Sequence, residues 1–283
     1  MNLVVAVVAP GNMGAAVGRV LAEHGVEVLT TLEGRSDASA ARAASAGMHG
    51  VSRADLLRAR FLLSIVPPAS ALPLAELMAP VLSAAAQKPL FVDCNAVSPV
   101  TARRIAAVIE STGTSFVDAG IIGPPPRKGA AQPALYASGP HAGQLAVLTQ
   151  HGLDIRILDG PVGAASALKM SFAGINKGII AVATAMTLAA SRAGAAQALR
   201  DALAEREPAL LDSLGRKIPD MLPKAYSWVA EMQKISRFLT LETGGGIYLG
   251  ASDLYERVAR AMASDDSELE ALRQFFKTGS LSE

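Results

Sequence analysis

Lys169, Asn176 and Lys177 stand out in a stretch built mostly of Ala, Ile, Leu, Val, Met and Gly, PVGAASALKMSFAGINKGIIAVATAMTLAASRAG from Pro161 to Gly194. A partly buried lysine can take or give a proton, and an amide can orient a substrate oxygen. Seven residues make almost two helical turns, so Lys169 and Asn176 fall within about 20° of each other on a helix. The plainer alternative is a Lys169 that snorkels to the surface and an Asn176 that faces a crevice. A second set lies near the N-terminus, in Ala9-Pro10-Gly11-Asn12-Met13-Gly14. It follows the β-branched run Leu3–Val8 and opens a helical pattern through His24. Strand, glycine turn and helix give a G-x-G-x-x-G variant its meaning, here with Ala9 in place of the first glycine. Gly11 lets a pyrophosphate approach the backbone, and Gly14 lets the helix pack on the strand. The helix start at Asn12 and Met13 offers N–H groups to the phosphates.

The end of the second strand, Val26–Thr31, bears on which nicotinamide cofactor fits. It runs into Glu33-Gly34-Arg35-Ser36. Arg35 and Ser36 suit a ribose 2′-phosphate, so NADP is expected. Glu33 is the rival, because a carboxylate in that region binds a 2′-hydroxyl, and NAD stays open.

Those residues need a scaffold, and the chain supplies a βα rhythm. Strands are expected at Phe61–Val66, Leu90–Asp93, Ser115–Ala119, Ala134–Ser138 and Ile155–Leu158, with helices at 69–86 and 98–111. Val66, Pro67 and Asn95 then fall at the carboxyl edge of a parallel sheet, where ligands bind. The stretch Gly120–Gln132, with Arg127 and Lys128, reads either as a lid or as a plain solvated loop. From Gly194 the pattern is helical throughout, near 195–204, 208–217, 224–240, 247–263 and 267–276. The fold class expected is α/β, a Rossmann-type doubly wound sheet over 1–160, then a long interdomain helix opening an all-helical domain over 161–283.

Composition narrows the rest. With 51% hydrophobic and 18% charged residues the chain is a packed globule, not a disordered one. A formal net charge of +1 leaves no electrostatic footprint for nucleic acid or an anionic membrane. Cys94 is the one cysteine, which fits a reducing, cytoplasmic setting. The N-terminal apolar run lacks the basic start of a signal peptide, and Lys169, Asn176 and Lys177 argue against a membrane span. His24, His49, His141 and His151 have no ligand spacing, so no metal is expected. Ala173, Gly174, Gly178 and Ala181 give the long helix a small-residue face on which a homodimer could form.

The stretches A-P-G-N-M-G-A-A-V, V-D-C-N-A-V-S-P at 92–99 and F-V-D-A-G at 116–120 resemble the 3-hydroxyacid dehydrogenase superfamily. That superfamily includes the 6-phosphogluconate and 3-hydroxyisobutyrate dehydrogenases. M-L-P-K-A-Y-S-W-V-A-E-M at 221–232 is similar to a prokaryotic branch with a C-terminal helical domain of unassigned function. The resemblance implies hydride transfer to or from a nicotinamide, commonly in a dimer. It makes Lys169 the catalytic acid/base; in a mechanism consistent with these residues, Asn176 and Lys177 would orient the oxygen. It places Gly120, Ile121 and Ile122 at the substrate. Lys224, Tyr226, Trp228 and Glu231, at helical spacing, read either as further contacts from the helical domain or as domain packing with an exposed charged face. Two positions depart: the family's serine is Ile122 here, and its asparagine four residues after the lysine is Ala173. An imine reductase of the same architecture and a non-catalytic cofactor sensor are the alternatives.

Overall fold

The computed structural model describes residues 3–127, 129, 132–240, 243–264 and 267–277, so Lys128 lies outside the described residues. The chain forms two compact units, Met1–Met170 and Ser171–Glu283.

In the first unit, β1 (Val4–Val8), β2 (Glu27–Thr30), β3 (Met48–Gly50), β4 (Phe61–Ser64), β5 (Leu90–Asp93) and β6 (Phe116–Ile122) run parallel. β7 (Ala134–Ser138) runs antiparallel to β6, and β8 (Asp154–Ile157) is parallel to β7. Their order in the sheet is β3-β2-β1-β4-β5-β6-β7-β8. The central strands are buried on both faces, as continuous apolar runs require in a parallel sheet. One face packs Val5, Val7, Phe61, Leu63 and Val92 on α1 (Asn12–Glu23) and α2 (Asp37–Ser45). The other packs Ala6, Val8, Leu62, Phe91 and Phe116 on α3 (Ala71–Ala84) and α4 (Pro99–Glu110). The start of α4 is set locally: Pro99 opens it, and the Ser98 hydroxyl accepts the Thr101 N–H at 3.1 Å.

Among the strands and α-helices, two go beyond the sequence expectation, α2 and β3. The α2 sequence DASAARAAS buries only Ala43, and β3 has three residues at the sheet edge. Neither carries a strong apolar period. Gly120, Ile121 and Ile122, expected to open an irregular stretch, instead complete β6, because β7 pairs with them.

Helix α5 (Ala164–Arg192) has 29 residues, about 43 Å at the helical rise. Gly163 precedes it with φ 103°, and Gly194 follows it with φ 72°. Its first turns belong to the first unit and the remainder to the second. By length and composition alone it could cross a membrane. In the second unit one stripe of it, Gly174, Ile180, Ala181, Thr184 and Leu188, is buried.

The second unit continues with α6 (Ala196–Arg206), α7 (Pro208–Met221), α8 (Ala225–Leu239), α9 (Gly245–Ala261) and α10 (Ser267–Phe276). α8 and α9 make the most extensive contact of this unit. A Cβ at Gly174 would meet the Tyr248 hydroxyl at 3.0 Å and Ile235 at 3.4 Å, and one at Gly178 would meet the same hydroxyl at 3.4 Å. The small-residue face expected to receive a second copy is therefore covered by α8 and α9 of the same chain. The face left open carries large residues: Ile175, Ile179, Val182 and Met186.

Candidate functional site

The glycine turn is built as its spacing demands. A Cβ on Gly14 would lie 2.0 Å from the Ala9 carbonyl oxygen, so only glycine lets α1 approach the end of β1. Gly11 differs, since nothing lies within 4 Å of where its Cβ would be. Gly11 is the N-cap of α1, and among the described residues no side chain caps it. The first-turn N–H groups have no intrahelical acceptor. Asn12 is exposed, whereas Met13 turns its side chain toward the core and leaves only its backbone to a ligand.

Beyond β2, Glu33 is ion-paired with the Arg53 guanidinium and also accepts the Arg53 N–H at 3.2 Å. Arg35 and Ser36 are exposed, and among the described residues no hydrogen bond or ion pair holds the Arg35 side chain. The sequence reading missed two neighbours. Arg42 donates to the Pro10 carbonyl at 3.1 Å and to the Ser39 hydroxyl at 2.9 Å, and Ser39 lies 3.3 Å from the Ser36 hydroxyl. Their three-residue spacing was a signal only once α2 was known. Arg42 thus joins the glycine turn to the start of α2.

At the carboxyl edge of β4 and β5, Val66 is half-buried and Pro67 exposed. Asn95 is buried and fully engaged with its neighbours. Its Oδ1 accepts the Val66 N–H at 2.6 Å, and its Nδ2 donates to the Ser64 hydroxyl at 2.8 Å and to Asp93. Asn95 therefore shapes the Val66–Pro67 turn from behind.

Ser64, Asp93, Asp118 and Ser138 stand in register on β4, β5, β6 and β7, a buried polar row across four strands. Asp118 is well satisfied. It accepts the N–H groups of Gly163 and Ser166 at 2.9 and 3.0 Å and the Ser166 hydroxyl at 2.6 Å. The Ser138 hydroxyl donates to it at 3.1 Å and accepts the Ala165 N–H at 3.0 Å. These bonds fix the first turn of α5. Asp93 is less well served, because its Oδ2 has no partner among the described residues. Burial pushes its carboxyl up to about 7, with the Asn95 hydrogen bond opposing and the Asp118 charge adding to the rise. Burial likewise pushes the Cys94 thiol well up. Each of the four strands carries one small polar or acidic residue, last in β4, β5 and β7 and third in β6, but only their register shows that these align.

One turn along α5, the half-buried Lys169 donates from Nζ to the Ile121 carbonyl at 2.5 Å. A Cβ on Gly120 would be 3.2 Å from the Lys169 Cβ, so β6 and α5 meet closely there. The structure thus brings Lys169 together with Gly120 and Ile121, and Ile122 follows at the strand end.

Asn176, Lys177 and Trp228 belong to the second unit. Asn176 donates to the Phe172 carbonyl at 3.0 Å and accepts from Lys217 at 3.4 Å. Lys177 is ion-paired with Glu231 and lies 4.7 Å from the centre of the Trp228 ring. Trp228 meets the buried Tyr255 edge-on at 5.2 Å, and the Tyr255 hydroxyl donates to the Lys177 carbonyl at 2.5 Å. Burial, with Glu231 nearby, pushes the Tyr255 phenol up. As placed, these residues serve one another.

The model of the NAD binding domain of 6-phosphogluconate dehydrogenase matches residues 4–146, half of the chain. The chain belongs to the 3-hydroxyacid dehydrogenase superfamily. A domain of unknown function matches residues 190–258, the helical part of such a chain. An uncharacterised 28.5 kDa protein of Methanothermus fervidus is 31% identical over 198 residues, 69% of this chain and 72% of its own. The conserved protein MTH1747, of unknown function and similar to 3-hydroxyacid dehydrogenases, superposes with a TM-score of 0.77 at 27% identity, covering 93% of this chain and 100% of that one. Mycobacterium tuberculosis 3-hydroxyisobutyrate dehydrogenase shares the fold, with a TM-score of 0.67 at 20% identity over 97% and 99% of the two chains. Imine reductases solved with NAD+ and with NADP+ share it too. The family's nicotinamide dinucleotide fits the residues present here. Gly11 leaves room against an uncapped helix start, which is what a pyrophosphate needs.

Proposed function

We propose that the protein is an NADP-dependent oxidoreductase that moves a hydride between the cofactor and a hydroxyacid or related alcohol or carbonyl substrate. The observation that carries this reading is the position of Lys169, fixed by the pinned first turn of α5 and turned to the carboxyl end of β6. When bound, the dinucleotide takes or gives the hydride at its nicotinamide ring. The Lys169 amine takes the hydroxyl proton as the carbonyl forms, and its ammonium returns that proton in the reverse direction. The first turn of α1 holds the pyrophosphate. The turn at Val66–Pro67, shaped by Asn95, borders the cofactor at the sheet edge.

Support for NADP over NAD comes from the end of β2. Glu33 is engaged by Arg53, while Arg35, Ser36, Ser39 and Arg42 gather hydroxyls and guanidinium groups around the start of α2. A 2′-phosphate matches that set. Gly120, Ile121 and Ile122 line the substrate side, and an isoleucine in place of the family's serine favours a larger or less polar substrate. Asn176, Lys177 and Trp228 would have to exchange their present partners to hold one.

The single buried Cys94 fits a cytoplasmic setting. The partner in this reading is a second copy of the chain. The exposed stripe of Ile175, Ile179, Val182 and Met186 borders an apolar groove of about 510 Å³, also lined by Leu203 and Leu210. Such a face on a folded chain marks an interaction site. A panel of hydroxyacids, ketones and cyclic imines, followed at 340 nm with both cofactors, tests the reading. Turnover of imines alone would replace it with an imine reductase, and tight NADPH binding without turnover with a sensor.

A further inference from the structure

The polar row across β4 to β7 contains an imbalance that the reaction above does not use. Asp118 has four donors, and Asp93 beside it has one oxygen with none among the described residues. Both residues are almost fully buried, at 0% and 1% exposure, and they are in-register partners on adjacent strands. Two neighbouring carboxylates out of reach of water cannot both hold full charge cheaply, and the oxygen without a donor is where a proton goes.

The two acids also hold different parts of the site. Asp93 accepts from Asn95, which in turn holds the Val66 N–H. Asp118 holds Gly163 and Ser166, three residues before Lys169. We propose that Asp93 is a positioning residue that keeps the Val66–Pro67 turn and the first turn of α5 in place by holding a proton, and that losing the proton loosens both.

Other charged groups lie on the elements packed around the pair. Arg103 of α4 has a guanidinium nitrogen beside Gly163, 3.0 Å from where its Cβ would be, and is exposed at the helix surface. Arg104 of the same helix and Glu76 of α3 are exposed. Lys169 of α5 donates to the Ile121 carbonyl. The Cys94 thiol next in the chain is neutral, pushed up by burial. The charge that acts on Asp93 is that of Asp118, and it favours the protonated form.

The importance of these two places for nucleotide rests on the function proposed above, so the test has two separate arms. In the first, amide hydrogen exchange of the ligand-free protein is followed by NMR from pH 5.5 to 9, together with the Asp93 carboxyl carbon shift. Protection of the Val66, Gly163 and Ser166 amides, corrected for intrinsic exchange, should fall several-fold with the midpoint of the Asp93 titration. Val28, in β2, should keep its protection. Asp93→Asn keeps the acceptor for Asn95 and places N–H donors where the proton would be, so its protection should not change with pH. Protection that ignores the Asp93 midpoint, or a fall that persists in Asp93→Asn, overturns the proposal. If that variant does not fold, the coincidence of midpoints in the parent decides alone. In the second arm, NADPH titrated by fluorescence should bind several-fold more weakly at pH 9 than at pH 6 in the parent, and equally at both in Asp93→Asn. Binding of neither NADPH nor NADH would sink the cofactor reading, while the exchange data would still decide on Asp93.

Discussion

Lys169 and Arg35 each separate one reading from its rival. Lys169→Met retains the aliphatic bulk packed against Gly120 and removes only the head that reaches the Ile121 carbonyl. Turnover should fall by about 10²–10⁴, the contribution of a positioned acid/base, with NADPH affinity little changed. More than about a tenth of the parental rate in that variant would remove Lys169 from the mechanism. Arg35→Ala should weaken NADPH several-fold and spare NADH, because the guanidinium has no structural partner to lose among the described residues. Tighter binding of NADH than NADPH by the parent would move the ribose contact to Glu33, at the cost of its bond to Arg53.

At the scale of elements, the glycine turn gives a contrast that a purely structural reading does not predict. Gly14→Ala drives a methyl group into the Ala9 carbonyl and should destabilise by about 3 kcal/mol or more in denaturant unfolding. Gly11→Ala has backbone angles any residue adopts and no neighbour to strike, so the melting temperature should hold. Its methyl group stands where the pyrophosphate would approach, and nucleotide affinity should drop about tenfold or more. An undiminished affinity in Gly11→Ala would take the phosphates away from this turn. The turn, the central strands and α5 were legible in the sequence because each carries its own mark: a glycine spacing, a run of β-branched residues, an apolar stretch between two breakers. Helix α2 and strand β3 were not, since one buries a single alanine and the other is three residues long. The open face of α5 was misjudged for a related reason. Small residues do permit close approach, but the sequence does not say whose helix approaches, and here Tyr248 and Ile235 of the same chain do. The polar row was hidden because register is a relation between strands, and no single strand displays it.

For the whole molecule, the buried acid makes stability depend on pH with a definite sign. The Asp93 carboxyl rises from its ordinary 3.8 to about 7 on folding, so between those values the folded chain keeps a proton that the unfolded chain releases. Stability contributed by that proton is present in full at acid pH, falls as pH rises through the window, and is gone above it. The loss is on the order of 4 kcal/mol, and Asp93→Asn should flatten it in thermal melts. The exposed apolar stripe of α5 predicts a second global property. Sedimentation at micromolar concentration should show a dimer, and Ile179→Glu, which places a charge on the stripe, should yield a folded monomer. A wild-type monomer would leave that face without its expected occupant. Cys94 offers a different use of the same sheet edge. It is the chain's one thiol, buried between Asp93 and Asn95 and poorly acidic, so a sulfhydryl reagent can reach it only while that edge is open. Its alkylation is thus a built-in clock for local opening, readable by mass without any label, and nucleotide at the edge should slow it.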